Sequence, residues 1–254
     1  MKNIAMIFAG GVGSRMHSDI PKQFLEVGGK PIIIQTLELF ELNENVDAIY
    51  VACVKEYIAT LEEMIRKFNV QKVVRVFPGG ETGQDSIYIG LSEIKKDYDD
   101  ALVLIHDGVR PLVEQKTIDR CVEDALKYGS AVTSTPAFET PILTEDGEYV
   151  AAMPERQKVY TAQAPQCFKL SDILKWHEAE RMNENPYSGI VDSCGLAFKY
   201  GGNPHLTIGN RGNIKVTTLE DYLVLVSNSA AQNYEQLFKL SENRKVHEGE
   251  NEKN

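Results

Sequence analysis

The chain reads as an α/β protein built on a doubly wound, mostly parallel sheet. Three observations lead there. The first apolar run, Ile4 to Ala9, has almost no polar interruption, as a strand covered on both faces requires. Short β-prone runs then alternate with stretches of helical periodicity as far as residue 135. The links between these stretches are short, so each helix serves as the crossover between neighbouring parallel strands.

The elements follow in order. Ile4 to Ala9 runs straight into Gly10-Gly11-Val12-Gly13-Ser14-Arg15. Pro31 to Leu42 carries apolar residues at helical spacing, and Pro31 suits a first helical turn. Ala48 to Val54 is the second strand, and Tyr57 to Phe68 a helix with Leu61, Met64, Ile65 and Phe68 on one side. Lys72 to Phe77 is a strand closed by Pro78-Gly79-Gly80, and Ser86 to Lys95 is helical. Ala101 to Ile105 is a strand ending at His106-Asp107-Gly108. Thr117 to Tyr128 is a helix stopped by Gly129, and Ser130 to Thr135 is a further strand. From about 136 to 165, prolines and a turn at Glu145-Asp146-Gly147 break the pattern, and the segment reads as a hairpin-like excursion from the same domain. Ser171 to Met182 is a helix with Ser171 as its N-cap. Leu206 to Ile208 and Ile214 to Val216 are short strands, and Thr218 caps a last helix running to Asn228. One domain therefore spans residues 1–240, and the polar, aperiodic tail 241–254 is expected to be disordered.

Composition narrows the function classes. At 254 residues, with 43% hydrophobic and 25% charged residues, the chain can bury a core without disulfides or a structural metal. The 27 Lys+Arg against 37 Asp+Glu give a formal charge of −10, which disfavours broad nucleic-acid binding but not a small anionic ligand held by a few local cations. No apolar run approaches the ~20 residues of a membrane span, and the Ile4–Ala9 stretch is too short for a signal-peptide core. Cys53, Cys121, Cys167 and Cys194 show no metal-binding or redox spacing. A cytoplasmic enzyme with reduced thiols is the expectation.

Two loops carry candidate chemistry. Behind the first strand, three glycines allow backbone N–H groups close to phosphate oxygens, and Arg15 and Lys22 add two cations. The segment is neither G-x-G-x-x-G nor G-x-x-x-x-G-K-[ST], which argues against a dinucleotide-dependent oxidoreductase. On glycines alone an ordinary βα turn is as good a reading; Lys22, fixed behind Pro21, favours a phosphate site. In His106-Asp107-Gly108-Val109-Arg110-Pro111, Asp107 could hold a divalent cation or substrate hydroxyls while Arg110 faces a phosphate. A loop salt bridge between Asp107 and Arg110 explains the same residues, and His106 reads as a hydrogen-bonded structural histidine. No nucleophile–base pair can be assembled, which suits a reaction driven by positioning and charge neutralisation.

These residues also carry a resemblance. Phe8-Ala-Gly-Gly-Val-Gly-Ser-Arg-Met16, Pro21-Lys-Gln-Phe-Leu25 and Gly29-Lys-Pro31 resemble the opening of sugar-phosphate nucleotidyltransferases. With His106-Asp-Gly-Val-Arg-Pro111, Ala162-Gln-Ala-Pro-Gln166 and Asn213-Ile-Lys-Val-Thr217, the chain is similar, from about residue 3 to 230, to the polyol-phosphate cytidylyltransferases. Their members act on ribitol 5-phosphate or on 2-C-methyl-D-erythritol 4-phosphate. The resemblance implies a Rossmann-like nucleotidyltransferase fold with a protruding β-arm and transfer of a cytidylyl group from CTP, with Mg²⁺, to a polyol phosphate. It puts CTP phosphate contacts on Ala9, Gly10, Gly11, Gly13 and Ser14, and cytosine and ribose contacts on Gly79, Gly80, Glu81 and Ser86. Arg15, Lys22 and Lys215 become the catalytic cations, and Asp107 touches both substrates. Arg110 falls in the acceptor pocket, to which the arm of a second subunit would lend Thr140 and Arg156, making a homodimer.

Three departures from the family pattern bear on the acceptor. Gly83 stands where arginine is usual, Ala164 where threonine is usual, and Glu139 where aspartate precedes the arm threonine. Gly108-Val109 is closer to the ribitol enzymes, so D-ribitol 5-phosphate is the expected acceptor and methylerythritol phosphate the alternative. A nucleotide-binding protein that has lost catalysis is the rival from another class. Gly83 and Ala164 favour it, whereas the retained cations oppose it.

Overall fold

A computed structural model describes residues 1–10 and 20–230 of the chain. The first strand, β1 (Lys2–Ala9), is an interior strand, third in order, of a seven-stranded sheet. On one side it pairs with β4 (Ala48–Cys53), which pairs with β5 (Val73–Pro78); on the other it pairs with β6 (Ala101–Asp107), all in parallel. The short strands β2 (Glu26–Val27) and β3 (Lys30–Pro31) form a separate antiparallel pair. Beyond β6 come β8 (Tyr160–Lys169), β7 (Ser130–Pro136) and β9 (Leu206–Ile208), with β8 antiparallel to both its neighbours.

Strand alternation sorts the side chains into two apolar layers. Ala5, Ile7 and Ala9 of β1 face one layer with Ile33, Leu37 and Phe40 of α1 (Ile32–Glu41), Leu61 of α2 (Ile58–Lys67), and Ile118 and Val122 of α4 (Gln115–Tyr128). Ile4 and Met6 face the opposite layer with Ile87, Leu91 and Ile94 of α3 (Gly83–Asp97), Ile173 of α5 (Leu170–Arg181) and Leu196 of α6 (Ser193–Lys199). Every residue of β4 and β6 is buried, so the unbroken apolar runs reflect cover on both faces. The chain winds outward from β1 in one direction to β4 and β5 and in the other to β6. The switch of direction therefore lies between β1 and β6, where ligands of open α/β sheets bind beyond the strand ends.

Several sequence expectations need correction. The excursion is shorter than 136–165, because β7 continues through Pro136 and β8 begins at Tyr160. Between them residues 137–159 are largely exposed, with an isolated bridge between Leu143 and Ala152. Ile214 to Val216 is not a strand; the Val216 N–H donates to the Val109 carbonyl at 3.0 Å from irregular backbone. Helix α5 begins at Leu170, so Ser171 lies inside its first turn instead of capping it. Pro31 precedes α1 rather than lying within it. Thr218 does mark the start of the final helix, α7 (219–230), where its hydroxyl accepts from the Asp221 N–H at 3.4 Å. The tail 241–254 lies outside the described residues.

Candidate active site

The carboxyl ends of β1, β4, β5 and β6 border a cleft of about 580 Å³, within the range of sites for small ligands. Ala9, Gly10, Lys22, Gly79, Gly80, Glu81, Ser86, Asp107 and Lys215 all line it. Gly11, Gly13, Ser14 and Arg15 fall outside the described residues. Lys22 reaches the cleft because residues Lys22–Phe24 form a 3-10 turn pinned at two points. The Gln23 amide donates to the Ala9 carbonyl at 2.7 Å, and the Phe24 ring stacks on Tyr57 at 4.9 Å. Phe24 is thus held in the core while Lys22, largely buried, is turned toward the end of β1.

The opposite wall is built around one hydroxyl. Ser86 Oγ accepts from the Gly80 N–H at 3.0 Å and donates to the Thr82 carbonyl at 2.9 Å. Thr82 in turn caps α3, its hydroxyl accepting from the Asp85 N–H at 3.1 Å. The loop folds so tightly that a Cβ on Gly80 would lie 2.4 Å from Asp85 Cβ, and one on Gly79 2.8 Å from Ser86 Oγ. Glycine is needed here for close approach.

At the end of β6 the Asp107 carboxylate is held by two cations. Lys215 Nζ lies 2.5 Å from Oδ1, and Arg110 Nε lies 2.7 Å from Oδ2. Arg110 also donates from Nη1 to the Asn213 carbonyl at 2.9 Å, and Asn213 Nδ2 donates to the Ala164 carbonyl at 2.7 Å. The loop salt bridge expected from the sequence is therefore present, but as half of a shared arrangement. Burial works against charge on Asp107, yet Arg110 and Lys215 outweigh it and hold the carboxyl below its ordinary range. His106 is fully buried, and burial pushes its pKa down to about 4. Its Nε2 faces the Arg110 carbonyl at 3.2 Å, so it is a neutral structural group.

Each Asp107 oxygen already lies against a cation. Among the described residues no group of three His, Cys, Asp or Glu side chains is placed to hold a metal ion.

A second cavity of about 320 Å³ adjoins the first and shares Phe8, Gly83, Asp107 and Lys215 with it. Arg110, Ala164, Gln166 and Asp192 line it too, together with Gln84 and Ser193. Sequence reasoning missed Gln84, Asp192 and Ser193; the signal available was the Asp192 N-cap of α6, whose Oδ1 accepts from the Gly195 N–H at 2.8 Å. Thr140 and Arg156 line neither cavity. Both are exposed on the excursion, where Arg156 Nη1 donates to the Phe138 carbonyl at 3.3 Å.

Similarity to known proteins runs along most of the chain. The family described as IspD, 2-C-methyl-D-erythritol 4-phosphate cytidylyltransferase, matches residues 3–227. A ribitol-5-phosphate cytidylyltransferase of Vibrio parahaemolyticus is 48% identical over 87% of this chain and 93% of its own. One from Streptococcus agalactiae is 42% identical over 94% and 99%. A 2-C-methyl-D-erythritol 4-phosphate cytidylyltransferase of Clostridium botulinum is 35% identical over 88% and 95%. The crystal structure of 4-diphosphocytidyl-2C-methyl-D-erythritol synthase from Anaerococcus prevotii superposes with a TM-score of 0.78 at 26% identity, covering 89% of this chain and 95% of that one.

Proposed function

The chain belongs to the IspD family of cytidylyltransferases, and on that premise we propose that it transfers the cytidylyl group of CTP to D-ribitol 5-phosphate, giving CDP-ribitol and pyrophosphate. One observation carries the reading: two cavities share a wall at Asp107 and Lys215, so a nucleotide in the larger and a phosphate ester in the smaller would meet beside the cations. The choice of ribitol is supported by the identities, 42–48% to the ribitol enzymes named above against 35% to the methylerythritol one. Methylerythritol 4-phosphate is the second reading, favoured by the family description and the solved structure.

In the proposed step an acceptor phosphate oxygen bonds to the α-phosphorus of CTP as the bond to the β-phosphate oxygen breaks. Pyrophosphate leaves with that electron pair. CTP would enter as its magnesium complex, the ion belonging to the nucleotide. A phosphate monoester loses its second proton near pH 6, so the nucleophile is ready at neutral pH without a base. Asp107 is doubly paired and His106 neutral and buried, so neither is placed for that task. Lys22, Lys215 and Arg15 are assigned to the charge that builds up in the transition state. Arg110, in the smaller cavity, is assigned to the acceptor.

The proposal extends to a homodimer. Phe138, Ile142, Tyr149, Val150 and Met153 leave the excursion with an exposed apolar surface, which supports its use as an arm against a second copy. Thr140 and Arg156 would then complete the partner's acceptor pocket. The decisive assay is pyrophosphate release from CTP and Mg²⁺ with each acceptor in turn. Faster turnover of methylerythritol phosphate would replace the first reading with the second, and silence with both would overturn cytidylyl transfer.

A further inference from the structure

The smaller cavity contains two polar side chains whose hydrogen-bonding capacity is unspent. Gln84, the second residue of α3, is 6% exposed, and Ser193, the first of α6, is 2% exposed. Among the described residues Gln84 Oε1 and Ser193 Oγ are buried without a hydrogen-bond partner, and both residues line the cavity. Their polar neighbours are already engaged. Gln166 donates to Asp192 Oδ2 at 2.9 Å and accepts from the Cys194 N–H at 2.8 Å. Asp107 is taken by Lys215 and Arg110.

Leaving a buried amide or hydroxyl unsatisfied costs its full desolvation penalty, so a pair of them bordering one cavity calls for a ligand that supplies the missing bonds. Gln84 Oε1 can only accept, while Ser193 Oγ can accept and donate. A sugar alcohol, with a hydroxyl on successive carbons, answers both from one flexible chain. The charged groups of the cavity, Arg110 and Lys215, are suited to its phosphate end.

We infer that Gln84 and Ser193 read the hydroxyls of the polyol acceptor and thereby set which polyol phosphate is used. This rests on the cytidylyl-transfer reading and adds two residues to its acceptor pocket. The two sit on α3 and α6, elements far apart in the chain that pack on the same side of the sheet. The cavity between them is therefore bounded by two helices packed into one apolar layer, and a hydroxyl one carbon out of place would leave both groups unpaired again. Such sites discriminate by the cost of the unmade bond.

The test uses the full-length protein and the variants Gln84→Met, which keeps the side-chain length, and Ser193→Ala. Each is assayed with whichever acceptor the wild type turns over faster, and KM is measured separately for acceptor and CTP. The expected result is a rise of roughly 3- to 10-fold in acceptor KM for each variant, with KM for CTP within about 2-fold. Monodeoxy analogues of the acceptor supply the second measurement. One of them should lose as much with wild type as the natural acceptor loses with the variant, and should lose nothing further when analogue and variant are combined. If ribitol 5-phosphate is not the faster acceptor but the variants still raise KM for the other, the ribitol assignment falls and this inference stands. Unchanged acceptor KM in both variants, or equal rises for acceptor and CTP, would overturn the inference with either acceptor.

Discussion

The Lys215 ammonium stands 2.5 Å from the Asp107 carboxylate, at the wall that the two cavities share. The pair is asymmetric: the Asp107 side chain is 8% exposed and the Lys215 side chain 43% exposed. Asp107 is thus the fixed member and Lys215 the one with room to turn toward a phosphate. Lys215→Ala should lower kcat by about 10²–10³-fold, the usual cost of losing one charge-stabilising contact in a transition state. Lys215→Arg keeps the charge but replaces a compact ammonium with a bulkier planar guanidinium and should recover only part of that loss. Steady-state kinetics with the preferred acceptor decide, and wild-type kcat in Lys215→Ala would remove the residue from catalysis.

A transfer step that needs no protein base, as proposed, predicts a simple pH profile. kcat/KM should rise through about pH 6, where the acceptor phosphate loses its second proton, and then stay level to pH 8. His106→Asn should show the same inflection, whatever its effect on stability. An inflection that disappears with His106 would mean that the imidazole takes part in proton transfer.

Stability should depend on pH through the buried histidines. His106 and His177 both have pKa values pushed from 6.5 down to about 4, chiefly by burial. Between those values the unfolded chain binds protons that the folded chain does not, so folding weakens as pH falls from 6.5 toward 4. Asp107 acts at lower pH still: its carboxyl is held below the ordinary 3.8, and its contribution is lost as pH falls through that lowered value. Thermal melting should give a clearly lower Tm at pH 5 than at pH 7, and His177→Gln should narrow the gap. Equal Tm values at the two pH values would contradict the neutral, buried state of both rings.

Gly83 borders both cavities, and a Cβ there would meet nothing within 4 Å. Gly83→Arg should therefore fold. Losing a glycine at the helix start gains up to ~1 kcal/mol, and a cation beside the helix N-terminus costs a similar amount, so Tm should stay within about 2 °C. The added guanidinium would face the nucleotide phosphates and should lower KM for CTP several-fold. A rise in that KM would show that the phosphates lie elsewhere.

Arg156 tests the proposed sharing of the site between subunits. Arg156→Lys should raise KM for the polyol phosphate at least 10-fold with KM for CTP nearly unchanged, because an ammonium cannot hold a phosphate bidentately. Mixed with Lys22→Ala chains, it should recover activity, since one site of the mixed dimer carries both lesions and the other neither. Failure to complement in mixtures shown to exchange subunits would return Arg156 to its own chain's site or to none.

Much of the architecture was legible because local pattern reports burial. The unbroken apolar runs of β1, β4 and β6 marked strands covered on both faces, and the spacing in α1 and α4 marked which side of each helix meets the sheet. Gly129, at φ +88°, ended α4 as its identity implied. The strand β8 was hidden for a physical reason. Its first four residues lie at or near the surface and the next five are buried, so it shows neither the alternation of a one-sided strand nor the continuous run of a central one. Helix α6, seven residues long, is too short to establish a period.

The sequence by itself determined the alternation of strands and helices, the glycine-rich strand ends and the supply of cations near them, because each follows from neighbours in the chain. Only the tertiary structure decided that Asp107 is shared between Arg110 and Lys215, and that Gln84 and Ser193 border one cavity. Those relationships depend on which strands pair and on how far a side chain reaches across the sheet end. Periodicity records the direction a residue faces, and not which distant residue it meets there.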